Sequence, residues 1–207
     1  MYPVLQTVEI SLRNRVHEVL STHYSPGVPT GGPGALHSRS WLDAMPPILG
    51  PWEQDEVLKV KKRLGAEKKA VTPDRLIAGL SLGFWAALFT RRYEISPISS
   101  YTATAGRPTA FWPRHLRAVF PALPKRFATR SHAYTVLRNL ADLRNQVFHH
   151  RPIWRLPLNA LHVSATEVIG WISPDLRDLT VTMDRVPQVV AKGVAGFETD
   201  LAVFLAT

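Results

Sequence analysis

A chain of 207 residues with 45% hydrophobic content can bury one ordinary core. It has no cysteine, which excludes disulfide staples, thiolate metal sites and a cysteine nucleophile, and fits a reducing compartment. The formal net charge is +9 and the sequence pI about 10.3, so the chain attracts polyanions, nucleic acid foremost. The alternative is a solvated basic surface with no specific partner, because charge steers binding without specifying it.

The first residues lack the basic region and small-residue cleavage site of a secretory signal. The longest uncharged apolar stretch, Leu76 to Thr90, has 15 residues, too few to span a bilayer. The expectation is a soluble cytoplasmic protein, with no membrane association, no cofactor and no metal.

Val4, Leu5, Val8, Leu12, Val16, Val19 and Leu20 recur at helical spacing and predict an amphipathic helix over 3–22. Glu9, Arg13 and His17 stack on its other face. Residues 25–51 hold six prolines and five glycines, which predicts a long irregular connection pinned by Trp41 and Trp52. Residues 53–69 read as a short charged helix. Its Lys59, Lys61, Lys62, Arg63, Lys68 and Lys69 form a candidate phosphate-backbone patch, or else a solvated face.

Thr72-Pro73-Asp74 marks a helix start, with a threonine cap, proline in the first turn and an acid at the positive dipole end. The following run to Glu94 is apolar on nearly all sides and predicts one central core helix, with Gly79 and Gly83 allowing close approach of another helix. Residues 96–113 read as loop. A short helix spans 113–120, and a long one runs from Thr129 to Arg151, where Pro152 should end it. Two more helices span 157–171 and 187 to the end. Leu179 to Met183 carries a brief strand-like alternation. No internal repeat is present.

On a helical wheel at about 100° per residue, Tyr134, Leu137, Leu140, Ala141, Val147 and Phe148 form one apolar stripe with Arg144 in its middle. A guanidinium facing a core needs a partner or a cleft. Asn145 and His149 share one face four residues apart. His150 follows where the negative dipole end favours a charged imidazole. This set suits RNA cleavage without a metal. An imidazole takes the ribose 2′-OH proton or protonates the leaving 5′-oxygen, and arginine binds the scissile phosphate. The bland reading is a structural Arg144 bridging to an acid such as Glu94 or Asp142, beside surface histidines.

Leu143-Arg144-Asn145, followed by His149-His150-Arg151-Pro152-Ile153, resembles the LRNxxxHHxPI signature of the Abi-like (abortive infection) family of the HEPN superfamily. Leu80-Ser81-Leu82-Gly83-Phe84-Trp85 with Tyr93-Glu94 is similar to its LSxGFWxxL…YE block. Val8 to His17 is similar to its LExxLRNxxH block, and Ile169-Gly170-Trp171 also fits. The resemblance covers about Val4 to Val190. It implies an all-α HEPN-type helical bundle, one domain over 1–207 with an N-terminal portion over 1–70 and a core bundle over 71–207. It further implies a homodimer pairing two motifs into one endoribonuclease site, with Arg144, Asn145 and His149 catalytic and His150 auxiliary. The biological setting it implies is antiviral defence or a toxin with an antitoxin or defence-system partner. The family usually has a further stretch before the first block, and residues 27–34 look like a local insertion. Arg151 stands where some HEPN toxins carry a tyrosine modified by a partner enzyme. Arg13, Asn14 and His17 form either a second RNA-facing set or a packing group acting through Glu9 and Arg144. A non-catalytic RNA- or nucleotide-binding module remains the alternative function.

Overall fold

In the computed structural model, residues 1–24, 40–43, 48–94 and 110–205 are described. The apolar stripe of the first segment folds as helix α1 (Tyr2–Tyr24), and all seven predicted apolar positions are buried. Helix α2 (Pro51–Ala66) starts on a proline and ends where Lys68 turns into the left-handed region, at φ 53°. There the Lys69 N–H reaches back to the Leu64 carbonyl at 2.9 Å and the Lys68 N–H to that of Gly65 at 3.0 Å. That closing turn satisfies two orphan carbonyls and stops the helix three residues before the predicted end. Most of the proline- and glycine-rich connection lies outside the described residues. Within it Trp41 is fully buried, whereas Trp52, in the first turn of α2, is about half exposed.

The predicted central helix is in fact two short helices, α3 (Pro73–Gly79) and α4 (Leu82–Ala87), followed by a 3-10 turn over Arg91–Tyr93. Leu80 is extended, and the Ser81 hydroxyl caps α4 by accepting from the Phe84 N–H at 3.4 Å. A straight rod with apolar residues all round must leave one side facing water. The break avoids this and buries Leu80, Leu82, Phe84, Trp85, Leu88 and Phe89 together. Gly79 lies against α2, where an added Cβ would fall 2.5 Å from a Val60 methyl. Gly83 has no such neighbour from another helix.

A single-turn helix, α5 (Leu116–Val119), precedes α6 (Arg130–Phe148), whose start is capped by Thr129 accepting from the His132 N–H at 3.2 Å. Helix α7 (Leu158–Ile172) packs between α1, α6 and the next helix, α8 (Pro174–Met183). The strand-like alternation of Leu179 to Met183 is therefore helical. Ser173 caps α8, and Pro174 and Asp175 follow it. Helix α9 (Val186–Leu205) is interrupted at Gly193, which takes φ 61°. One contiguous apolar cluster, from Val4 to Trp171, joins α1 through α7. The described residues are thus all-α apart from one isolated bridge between Glu94 and Trp112. None of the described helices is long and apolar enough to cross a membrane.

The α8–α9 junction is tied to α7 by a hydrogen bond between His162 and Asp184. Asp184 also accepts from the Val186 N–H at 3.0 Å. Burial alone would push the Asp184 carboxyl up, but these hydrogen bonds outweigh it and hold it below its ordinary 3.8. A depressed folded-state pKa contributes stability that is present above the unfolded value and lost as pH falls through the folded one. The melting temperature is therefore expected to drop on acidification below about pH 4. Asp184→Asn should lower the neutral-pH value and flatten that drop, as thermal scans across pH 2.5–6 will show.

Candidate functional site

Helix α6 delivers the candidate residues because its buried arc is wider than a single stripe. Ala133, Leu137, Leu140, Ala141 and Leu143 are buried, Tyr134 and Val147 are half-buried against the core, and Phe148 is half-buried. Contacts with α4, α7 and α1 surround the helix on several sides and account for that width. Arg144 emerges at the edge of this arc, with 22% of its side chain exposed.

Its guanidinium is held from two directions. Nε donates to Glu9 Oε2 on α1 at 3.2 Å, and Cζ lies 3.9 Å from the centre of the Phe148 ring. Tyr2 stacks on the same ring, with centroids 4.6 Å apart and planes 20° apart. Glu9 is itself mostly covered, at 14% side-chain exposure. The two acids suggested by sequence as structural partners are engaged elsewhere. Glu94 pairs with Arg130 at 2.8 Å and Asp142 with Arg138 at 3.1 Å. An ion pair plus a ring face fixes the guanidinium while only Nε is committed to the carboxylate, so the two terminal nitrogens are the part chemically suited to a phosphate.

The helix ends at Phe148, three residues before the predicted stop at Arg151. The Arg151 N–H donates to the Gln146 carbonyl at 2.9 Å and the His150 N–H to that of Val147 at 3.2 Å, with His150 at φ 53°. This is the hydrogen-bond pattern usually completed by a left-handed glycine. His149 is accordingly the cap residue, with its N–H on the Asn145 carbonyl at 3.0 Å, and the last-turn position expected for His150 is replaced by a left-handed one. The side chains of Asn145, His149 and His150 are all exposed. Because an L side chain is strained at positive φ, His150→Gly is expected to stabilise the fold by about 1 kcal/mol. A higher midpoint in denaturant melts, with the slope unchanged, is the readout.

The auxiliary set on α1 does not act as a unit. Arg13 Nε lies 3.4 Å from Asn14 Oδ1, both toward solvent. His17 Nδ1 accepts from the indole N–H of buried Trp41 at 2.9 Å, and Nε2 lies 3.3 Å from the Ser21 hydroxyl. Burial pushes His17 below its ordinary pKa, partly opposed by Asp74. Its ring is thus used in fastening the 3-10 turn over Trp41–Asp43 to α1. The contact between α1 and Arg144 is made by Glu9, while His17 is engaged with Trp41.

The basic patch around α2 is partly neutralised within itself. Lys59 lies 2.9 Å from Asp55 and 2.8 Å from Glu56, and those hydrogen bonds raise its pKa. Lys69 pairs with Glu67 at 2.7 Å, and Arg63 donates to the Gly79 carbonyl at 3.3 Å. Lys62 and Lys68 are exposed, and Lys61 is half-buried. Surface pairs of this kind cost little to break, and they leave the patch with less free positive charge than its sequence suggests.

Two residues near the end of α6 carry no sequence signal that singles them out. Tyr2 precedes the apolar stripe of α1, and only the tertiary fold brings it onto Phe148. Trp154 stands in the loop after α6 and is 69% exposed. Among the described residues no group of three or more His, Cys, Asp or Glu is placed to hold a metal ion. No family model, curated protein or solved structure matches the chain.

Proposed function

We propose that the protein is a metal-independent endoribonuclease of a phage-defence (abortive infection) or toxin–antitoxin system, acting in the cytoplasm as a HEPN-type homodimer. The observation that carries this reading is a guanidinium fixed between Glu9 and Phe148, five residues from an exposed imidazole at an uncovered helix end. Four ordered sequence blocks resembling the Abi-like family support it.

In the proposed reaction one imidazole removes the 2′-OH proton as O2′ bonds to phosphorus. The bond from phosphorus to O5′ breaks, and a second, protonated imidazole gives its proton to that leaving oxygen. Two copies of His149, one from each protomer, supply the acid and the base. Arg144 stabilises the charge that builds on the phosphorane oxygens, and Asn145 orients an imidazole or a phosphate oxygen. The products are a 2′,3′-cyclic phosphate and a 5′-hydroxyl. DNA lacks the attacking hydroxyl and is not a substrate. The purified protein, incubated with RNA in EDTA, should yield these ends. Cleavage that requires a divalent cation, or that leaves 5′-phosphates, would discard the mechanism.

A second reading uses the same arrangement: Arg144, held by Glu9 through Nε alone, binds a phosphate in an RNA- or nucleotide-binding module without chemistry. That reading expects salt-sensitive RNA binding and no cyclic phosphate.

A further inference from the structure

The loop that follows α6 separates its side chains by chemistry. Ile153 and Leu156 pack against the core, and the Leu156 N–H donates to the Ile153 carbonyl at 2.9 Å, which fixes the turn. Arg151, Trp154 and Arg155 are exposed, Trp154 by 69%. Among the described residues neither of these guanidinium groups has an ion-pair partner, unlike Lys59 and Lys69 on and after α2. Tyr2, 49% exposed, adds a second aromatic ring through its stack on Phe148. From His149 to Trp154 the chain can extend at most about 18 Å, so these groups border the end of α6.

The exposed indole presents a flat apolar face, and Arg151 and Arg155 bring two positive charges within a few residues of it. A ligand with flat apolar faces and negative charge complements both. We infer that Trp154, Arg151 and Arg155, extended by Tyr2, form a platform for unpaired RNA, with a base stacked on Trp154 and the flanking phosphates on the arginines. Base stacking on an aromatic ring is tolerant of sequence but needs an unstacked base, so duplex RNA is a poor occupant. The inference builds on the ribonuclease reading by naming the form of its substrate, single-stranded RNA, and the surface that receives it.

The test uses the full chain and fluorescein-labelled oligonucleotides in anisotropy titrations, with His149→Ala as the background so that RNA survives. A 12-nucleotide oligo(U) should bind at least about tenfold more tightly than a blunt RNA duplex of the same length. Trp154→Ala should weaken oligo(U) binding about tenfold and Trp154→Phe should largely restore it. Arg151→Ser with Arg155→Ser should reduce the salt slope by about 1.4, the share of two phosphate contacts on a single strand. Equal affinity for duplex and single strand, or wild-type affinity in Trp154→Ala, would overturn the platform. The two readings fail separately. Trp154-dependent binding without any cleavage by the parent protein removes the nuclease and leaves the platform. Cleavage of single strands undiminished by Trp154→Ala does the reverse.

Discussion

His149→Ala should lower the single-turnover rate of RNA cleavage by about 10²- to 10⁴-fold, the usual loss when a general acid or base is removed. The side chain is exposed and caps α6 through its backbone N–H, which alanine keeps. The melting temperature should therefore stay within about 2 °C of wild type, since surface changes away from special features cost little. A rate loss with the fold intact separates chemistry from stability. Mixing His149→Ala with wild-type protomers sharpens the test. If each composite site needs two imidazoles, heterodimers are inactive, and activity falls faster than the wild-type fraction. Cleavage that persists undiminished in the variant would end the assignment.

Arg144 carries the second large effect, and Glu9 makes it decidable. Arg144→Ala should reduce cleavage by about 10²- to 10³-fold through loss of charge stabilisation. It should also destabilise the fold by about 1–2 kcal/mol, since it strands a mostly covered Glu9 carboxylate and removes the contact with Phe148. Glu9→Gln leaves the guanidinium on its ring with a weaker partner. It should cost comparable stability yet retain cleavage, because the two terminal nitrogens are untouched. A double-mutant cycle read by denaturant melts should show a coupling of about 0.5–2 kcal/mol between the two positions. If Arg144 is purely structural, both variants lose stability together and neither changes the rate per folded molecule. Binding of oligo(U), measured alongside, separates the non-catalytic RNA-binding reading, in which affinity falls without any cleavage to lose.

Local patterns disclosed the helices whose stop and start signals are local. The α1 stripe is a clean 3.6-residue period, and Thr72-Pro73-Asp74 marks α3 by cap, proline and acid. The same triplet chemistry recurs in Ser173-Pro174-Asp175 and starts α8, overriding the strand-like alternation of Leu179 to Met183. Periodicity over five residues cannot compete with a capped start, because a short window fits both periods. The end of α6 departs from its sequence expectation for a related reason. Pro152 restricts only the residue before it, whereas the left-handed turn at His150 had already satisfied the helix carbonyls three residues earlier.

By itself the sequence determined that the chain is helical and basic and that its buried faces lie at particular positions, because spacing and charge are written residue by residue. It also brought Arg144, Asn145 and His149 to one helix end, since residues one turn apart are neighbours whatever the rest of the chain does. Only the tertiary structure decided which acid holds Arg144, that Tyr2 lies on Phe148, that His17 belongs to Trp41, and that the apolar run after Pro73 breaks at Ser81. Each of those outcomes depends on side chains distant in sequence competing for the same partner. Such competition is settled by packing and desolvation in three dimensions, where Glu9 reaches across 135 positions to a guanidinium that nearer acids do not take.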